Sequence, residues 1–136
     1  MKSYRPNDKQ VISKIIDGEA IIIKLEQGVY YSLNELGSVI WKNIEEKNSS
    51  SAIIDYIVSN YSVEISRAKQ DVINFLNEMD KEQLVVPNNK SITPKVKHKS
   101  DKLSYMAPQL EAYRDMEDLL ALDPPVPGMN EVTWKE

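Results

Sequence analysis

The chain has 136 residues, a formal net charge of −4 and no cysteine. This length allows one domain with at most a small appendage, and the lack of cysteine excludes disulfides, thiol catalysis and thiolate metal sites. The charge is uneven, because residues 1–86 sum to −3, residues 87–102 to +4 and residues 103–136 to −5. We therefore predict a domain over residues 1–86, a basic linker over residues 87–102 and an acidic tail over residues 103–136.

Two features of the sequence bear on where the protein is located. No apolar run approaches the roughly 20 residues that a membrane span requires, and residues 1–6 contain no apolar signal region. We therefore expect a cytoplasmic protein that has no membrane partner.

Apolar residues repeat every two positions over residues 10–33, which predicts a three-stranded antiparallel meander. Asp17 and Gly18 form a favoured hairpin dipeptide between the first two strands, and Gly28 marks the next turn. Because two tight turns make consecutive strands neighbours, the third strand, residues 29–33, is predicted to have a free edge.

From residue 35 onward the apolar period changes to three or four, which predicts three helices over residues 35–83. Asn34 lies at the junction of the last strand and the first helix, where its side chain suits a helix N-cap. Strands followed by helices predict an α+β domain.

The third predicted helix, residues 65–81, has a core stripe and one displaced apolar residue. At 100° per residue, the stripe consists of Ala68, Val72, Phe75 and Met79, with Leu76 at its border. Ile73 lies about 100° away from Val72, on the same side as Lys69. Such a residue either packs on a neighbouring element or lines a groove, and both alternatives stay open.

The region after the predicted domain changes character twice. Residues 87–102 are rich in Asn, Lys, Ser, Pro and Thr and have little apolar surface to bury, which is typical of a linker. Residues 114–122 predict an acidic amphipathic helix that is too short to be stable without a surface to pack on.

The sequence offers little that could carry out catalysis. His98 is the one histidine and lies among linker lysines, where a histidine is more often solvated than a ligand or a base. The four glycines form no phosphate-binding loop, and no nucleophile–base pair follows from the spacing. We expect no enzymatic activity, no cofactor and no metal site.

The stretch around the end of the third strand resembles the PqqD-like family, the peptide-recognition domains of pathways that make ribosomally synthesised, post-translationally modified peptides. The residues that carry this resemblance are Tyr31, Leu33, Asn34, Gly37, Ile40 and Trp41. A weaker match continues with Tyr61-Ser-Val63 and with Asp71-Val72-x-x-Phe75-Leu76. The similarity covers about residues 5–86.

The resemblance implies a winged-helix-like fold, with a three-stranded antiparallel sheet followed by three helices, and a function without catalysis. In this family the leader of a precursor peptide adds as a strand to the third strand and lies against the third helix, a form of β-augmentation. The peptide-binding residues implied here are Val29, Tyr30, Tyr31, Ser32, Leu33, Lys69, Ile73 and Leu76. The implied partners are a precursor (leader) peptide and a peptide-modifying enzyme.

The tail carries a second resemblance, to the leader sequences of lasso peptides. Tyr105, Pro108 and Leu110 match the pattern Tyr-x-x-Pro-x-Leu, although Tyr113 and Arg114 stand where those leaders have a later glycine. The resemblance implies that the tail is a ligand for the groove of its own or a neighbouring molecule. The alternatives of a substrate and of a disordered appendage stay open.

A different class of function, a winged-helix DNA-binding protein, is the alternative. From Glu64 to Glu82 the helix that would enter the groove has three basic and five acidic side chains, a net charge of −2. Repulsion from phosphate would oppose the main sequence-independent contribution to DNA affinity. The sequence therefore favours peptide binding and no nucleic-acid partner. A purely structural subunit of an enzyme complex would differ only in that no free peptide binds.

Overall fold

The computed structural model describes residues 2–90, 92 and 101–114. The acidic helix predicted for residues 114–122 lies outside the described residues apart from its first position, as do His98 and most of the predicted linker. None of the helices in the described part combines the length and the hydropathy that a membrane crossing needs. Within the same residues, no group of acidic or histidine side chains is arranged to hold a metal ion.

The described residues form six strands and three helices. The strands are β1 (Tyr4–Pro6), β2 (Val11–Ile16), β3 (Glu19–Lys24), β4 (Val29–Leu33), β5 (Val85–Pro87) and β6 (Leu110–Tyr113), and the helices are α1 (Glu35–Glu45), α2 (Ser50–Asn60) and α3 (Ile65–Lys81). All strand pairs are antiparallel, in one sheet of order β2-β3-β4-β6 and a second sheet that pairs β1 with β5.

The predicted α+β class with antiparallel strands and three helices is confirmed, but the predicted three-stranded sheet is wrong. The meander β2-β3-β4 forms as expected, and a fourth strand from the tail, β6, then pairs with the free side of β4. The physical reason is that an edge strand has unpaired N–H and C=O groups, which another extended segment can bind.

Local signals explain the meander. Asp17 and Gly18 have φ angles of 52° and 80°, as a type I′ hairpin requires at both central positions. Along β4, Val29, Tyr31 and Leu33 are buried while the residues between them are half-buried, so the predicted alternation is confirmed.

Helix α1 packs on this sheet, and α2 and α3 pack on each other to complete the core. Asn34 caps α1 by accepting a hydrogen bond from the Gly37 N–H at 2.9 Å, and Ser49 caps α2 in the same way. The predicted core stripe of α3 is buried, together with Leu76. Trp41 and Tyr31 are among the largest fully buried side chains. Burying each such side chain stabilises the fold by roughly 1.5–3 kcal/mol.

Candidate functional site

The free edge of β4 is occupied by a segment from the C-terminal part of the same chain. We call residues 101–114 the docked segment. Its strand β6 runs antiparallel to β4, with a register that extends from Leu33 opposite Leu110 to Tyr30 opposite Tyr113. Just before this ladder, the Asn34 N–H donates to the Gln109 carbonyl at 3.2 Å. Residues 110–113 of the tail are therefore a strand of the sheet.

The ladder determines which backbone groups of β4 face the docked segment. In an antiparallel pair, residues alternate between N–H groups that point to one neighbour and N–H groups that point to the other. Because the Asn34 N–H points to Gln109, the N–H groups of Ser32 and Tyr30 also face β6. Those of Leu33 and Tyr31 face β3.

Asn34 binds the docked segment and the first helix with one side chain. Its Oδ1 accepts from the Gly37 N–H and from the Gln109 N–H, each at 2.9 Å, and its Nδ2 donates to the Ala107 carbonyl at 2.9 Å. The two bonds to the segment lie on either side of Pro108, whose missing N–H leaves no donor unsatisfied there. The sequence predicted the helix cap but not this contact with the tail.

Tyr105 connects the docked segment to the N-terminal half of α3. Its hydroxyl donates to Asp71 Oδ2 at 2.6 Å, and the Arg67 guanidinium lies 5.1 Å from the centre of the ring. Arg67 also pairs with Asp71 at 3.5 Å. Burial and the bond to the Asp71 carboxylate raise the pKa of Tyr105, so the phenol is protonated and available as a donor at neutral pH.

A second polar contact connects β4 and the docked segment to the C-terminal end of α3. Tyr31 and Arg114 both donate to Glu82 Oε1, at 2.8 Å and 2.6 Å. Burial and the hydrogen bond to Glu82 raise the pKa of Tyr31 to about 12. Burial alone would raise the pKa of Glu82, but the bonds from Arg114 and Tyr31 outweigh it and hold that pKa below its usual value. Glu82 is therefore a carboxylate acceptor at neutral pH.

The outer face of the sheet is also continued by the docked segment. The rings of Tyr30 and Tyr113 stack with their centres 4.6 Å apart and their planes within 12°. These residues are directly opposite each other in the ladder, where aromatic pairs stabilise strand pairing by roughly 0.2–1 kcal/mol. Strand β6 thus interacts with β4 through side chains as well as backbone.

Two further backbone contacts hold the chain before β6. The Leu103 N–H donates to the Asn60 carbonyl, and the Leu103 carbonyl accepts from the Ser62 N–H, both at 2.9 Å. Ile92 bonds in a similar way to Lys47 and Ser49. The chain is therefore attached to the domain on both sides of residues 93–100.

The structure does not bring together all the residues that the resemblance implied. Tyr30–Leu33 pairs with the docked segment, whereas Val29 pairs only with Lys24 of β3. Tyr105 and Leu110 pack on the core. In contrast, Lys69, Ile73 and Leu76 line a separate hollow together with Lys2, Tyr4 and Asn77.

The helical geometry of α3 explains this separation. Asp71, which binds Tyr105, and Ile73 are two positions apart, so their side chains point about 160° away from each other around the helix axis. Sequence reasoning missed Asp71 and Glu82 as site residues, since Asp71 entered only as part of the family pattern and Glu82 belongs to the general acidic surface around the end of α3.

Gly37→Ala is expected to loosen the docked segment. A Cβ at this position would lie 3.1 Å from the Gln109 carbonyl oxygen, 3.1 Å from Phe75 Cζ and 3.0 Å from Asn34 Oδ1. Phe75 is buried in the core, so the Asn34 side chain and the docked segment that it binds have to shift. Amide hydrogen exchange at Gln109 and Glu111 should become roughly tenfold faster, a loss of about 1.4 kcal/mol of protection.

The thermal midpoint should change little, because alanine favours a helix by up to about 1 kcal/mol over glycine and so offsets the displaced cap at Asn34 and the looser docking. Gly18→Ala is the matched control: nothing lies within 4 Å of its Cβ, but its φ of +80° strains an alanine. That variant should lose stability and keep the tail protected. Unchanged exchange at Gln109 in Gly37→Ala would contradict the close approach.

Comparison with known proteins identifies the family to which this fold and this site belong. Residues 19–85 match the family model described as coenzyme PQQ synthesis protein D (PqqD). A solved structure, TbiB1 in complex with the TbiA(beta) leader peptide, is 32% identical in sequence with a TM-score of 0.57, over 60% of this chain and 93% of the other. This chain belongs to the PqqD-like family. The resemblance carried by Tyr31, Asn34 and Trp41 is thereby confirmed.

A second solved structure similar to this PqqD-like chain is lasso peptide synthetase B1 complexed with the leader peptide. It is 18% identical with a TM-score of 0.58, over 62% of this chain and 99% of the other, and at that identity the similarity shows the fold alone. No curated protein is significantly similar in sequence.

Proposed function

We propose that this chain is a non-catalytic peptide-binding adaptor. It captures the leader of a ribosomally made precursor peptide by strand addition to β4 and presents the peptide to a modifying enzyme. The observation that carries the proposal is the pairing of β4 with an extended segment over four residues, in the Leu33–Leu110 to Tyr30–Tyr113 register. Backbone ladders of this kind give affinity in β-augmentation, and the flanking side chains give specificity.

The groups around the ladder support a peptide ligand in particular. The Asn34 side-chain amide both donates to and accepts from the backbone of the docked segment, and Asp71 accepts from a phenol hydroxyl. Backbone amides and tyrosine hydroxyls are what a peptide offers. The relative at 32% identity binds a leader peptide, which supports the same class of ligand here.

The charge of the region argues against the DNA-binding alternative. Helix α3 and its caps carry a net charge of −2, which repels phosphate. Its Arg67 is already paired with Asp71, and Glu82 is paired with Arg114. Nothing on this face favours a nucleic acid.

Three finer predictions belong to the same proposal. They are the winged-helix-like arrangement of the domain, the cytoplasmic location, and the boundaries at residues 86 and 102. Two residues of the predicted linker contact the domain, because Pro87 is in β5 and Ile92 is bonded to Lys47 and Ser49.

Binding of a labelled synthetic peptide of residues 103–114, the probe peptide, tests the proposal. The full chain should raise the fluorescence anisotropy of the probe peptide, and a short DNA duplex should not compete. Ser32→Pro, which removes a donor that faces β6, should abolish the signal. No binding at millimolar chain concentration, or displacement of the probe peptide by DNA, would contradict the proposal.

Ile73→Ala tests which side of α3 faces the peptide. We expect its affinity for the probe peptide to equal that of the unchanged protein, because Ile73 lines the hollow with Tyr4 and Asn77. The cost in stability should stay below the roughly 2–5 kcal/mol of a core truncation, because the side chain is only half-buried.

Met79→Ala, at a fully buried position, supplies the core comparison in the same urea titrations. A clear loss of affinity in Ile73→Ala would instead support the original interpretation of Ile73, Lys69 and Leu76 as a wall of the peptide groove.

A further inference from the structure

We infer that the docked segment is a tethered ligand that fills the peptide groove of its own molecule, so that an outside peptide binds only by displacing it. This inference rests on the proposed function and goes beyond it, because it makes the groove conditionally accessible. It also assigns residues 103–114 to the same class of ligand as the precursor leader.

The contacts of the docked segment are distributed along its whole length. Leu103 bonds to the end of α2, Tyr105 to Asp71, the residues around Pro108 to Asn34, and residues 110–113 to β4. A segment held at one point would suggest a chance contact. A segment that satisfies the strand edge and two side-chain sites in succession has the geometry of a ligand.

The pattern of burial within the segment points the same way. The three residues of the leader-like pattern, Tyr105, Pro108 and Leu110, are all half-buried, while Met106 and Gln109 are exposed. Tyr105 and Leu110 both pack on the core of the domain. The residues that resemble a lasso leader therefore all face the domain.

The tether makes docking within one molecule favourable. Between the bonded residues Ile92 and Leu103 there are ten residues, which can span about 33–36 Å. A connection of this length gives an effective concentration around the millimolar range. If the free segment bound with a Kd of about 10 µM, the docked state of the tethered segment would be about a hundredfold more populated than the undocked state. The apparent affinity for an outside peptide would then fall about a hundredfold.

The alternating direction of the backbone N–H groups along β6 allows a matched pair of proline variants in the full chain. Because Gln109 donates toward Asn34, the N–H of Glu111 faces β4 and that of Ala112 faces away. Glu111→Pro should therefore undock the segment, whereas Ala112→Pro should leave it in place. Both positions are exposed, so neither change touches the core.

The test measures the Kd of the probe peptide for the full chain and for these variants. We expect Glu111→Pro to bind the probe peptide roughly a hundredfold more tightly than the unchanged chain, and Ala112→Pro to bind like the unchanged chain. Sedimentation over the same concentrations should show a monomer. A dimer that Glu111→Pro dissociates would overturn docking within one molecule.

The remaining outcomes separate this inference from the proposed function. Equal binding by the unchanged chain and Glu111→Pro, with Ser32→Pro still abolishing it, would overturn the tethered ligand and leave peptide binding intact. If Glu111→Pro, shown by circular dichroism to be folded, fails to bind the probe peptide, the peptide-binding groove itself is refuted.

Discussion

Ser32→Pro is expected to abolish strand addition to β4 while leaving the domain folded. By the alternation of the ladder, the Ser32 N–H faces Glu111 in the docked segment, and proline removes this donor and places its ring in the path of the partner strand. A missing bond that leaves a carbonyl unsatisfied costs about 1–3 kcal/mol, and the steric conflict adds to it. Measured in the Glu111→Pro background, where the docked segment does not compete, the affinity for the probe peptide should fall about a hundredfold or more.

The helices should remain, because proline is tolerated where the N–H of an edge strand points outward. The measurement pairs probe binding with amide exchange at Glu111 and Tyr113, which should become as fast as in a free chain. Tyr31→Pro is the contrasting variant: its N–H faces β3 and its side chain is fully buried, so it should unfold the domain. Protected amides at Glu111 and Tyr113 in Ser32→Pro would show that the register described here is wrong.

Asn34→Asp is expected to separate helix capping from peptide binding. Aspartate caps a helix as well as asparagine does, and its charge near the N-terminus of α1 adds about 0.3–1 kcal/mol. It cannot donate to the Ala107 carbonyl, and it places an oxygen where Nδ2 now lies 2.9 Å from that carbonyl. In the Glu111→Pro background, where the docked segment does not compete, we expect unchanged or slightly higher stability and a ten- to hundredfold loss of probe affinity, from a cost of about 1–3 kcal/mol.

Asn34→Ala provides the comparison, since it removes the cap and both contacts with the docked segment. It should lower the free energy of unfolding by about 1 kcal/mol and lower the affinity for the probe peptide as well. Chemical denaturation and anisotropy on the same samples distinguish the two variants. An Asn34→Asp chain that binds with unchanged affinity would mean that the bond to Ala107 contributes nothing.

Much of the fold was predictable because its signals are local. The hairpin at Asp17 and Gly18, the alternation along Val29–Leu33 and the cap at Asn34 each depend on a few neighbouring residues. The core stripe of α3 follows from its period alone. These features need no knowledge of what lies across the molecule.

Local sequence signals could not predict the strand pairings between distant parts of the chain. Strands β1 and β5 have three residues each and join Tyr4 to Pro87, so neither shows a period that could identify it. Strand β6 was predicted only as a ligand candidate, from Tyr105, Pro108 and Leu110. Its position as a fourth strand depends on an edge of β4 that exists once the meander has formed.

The sequence by itself determined the strand order of the meander, the three helices, the core stripe and the free edge. Only the tertiary structure decided which flank of α3 faces that edge. Asp71 and Ile73 border the same buried stripe on opposite sides, and the 3.6-residue period treats both flanks alike. The packing of α3 on α2 and β5 turns Asp71 toward Tyr105 and Ile73 toward Tyr4, because a helix that buries one stripe can expose only one of its two flanks to a given strand.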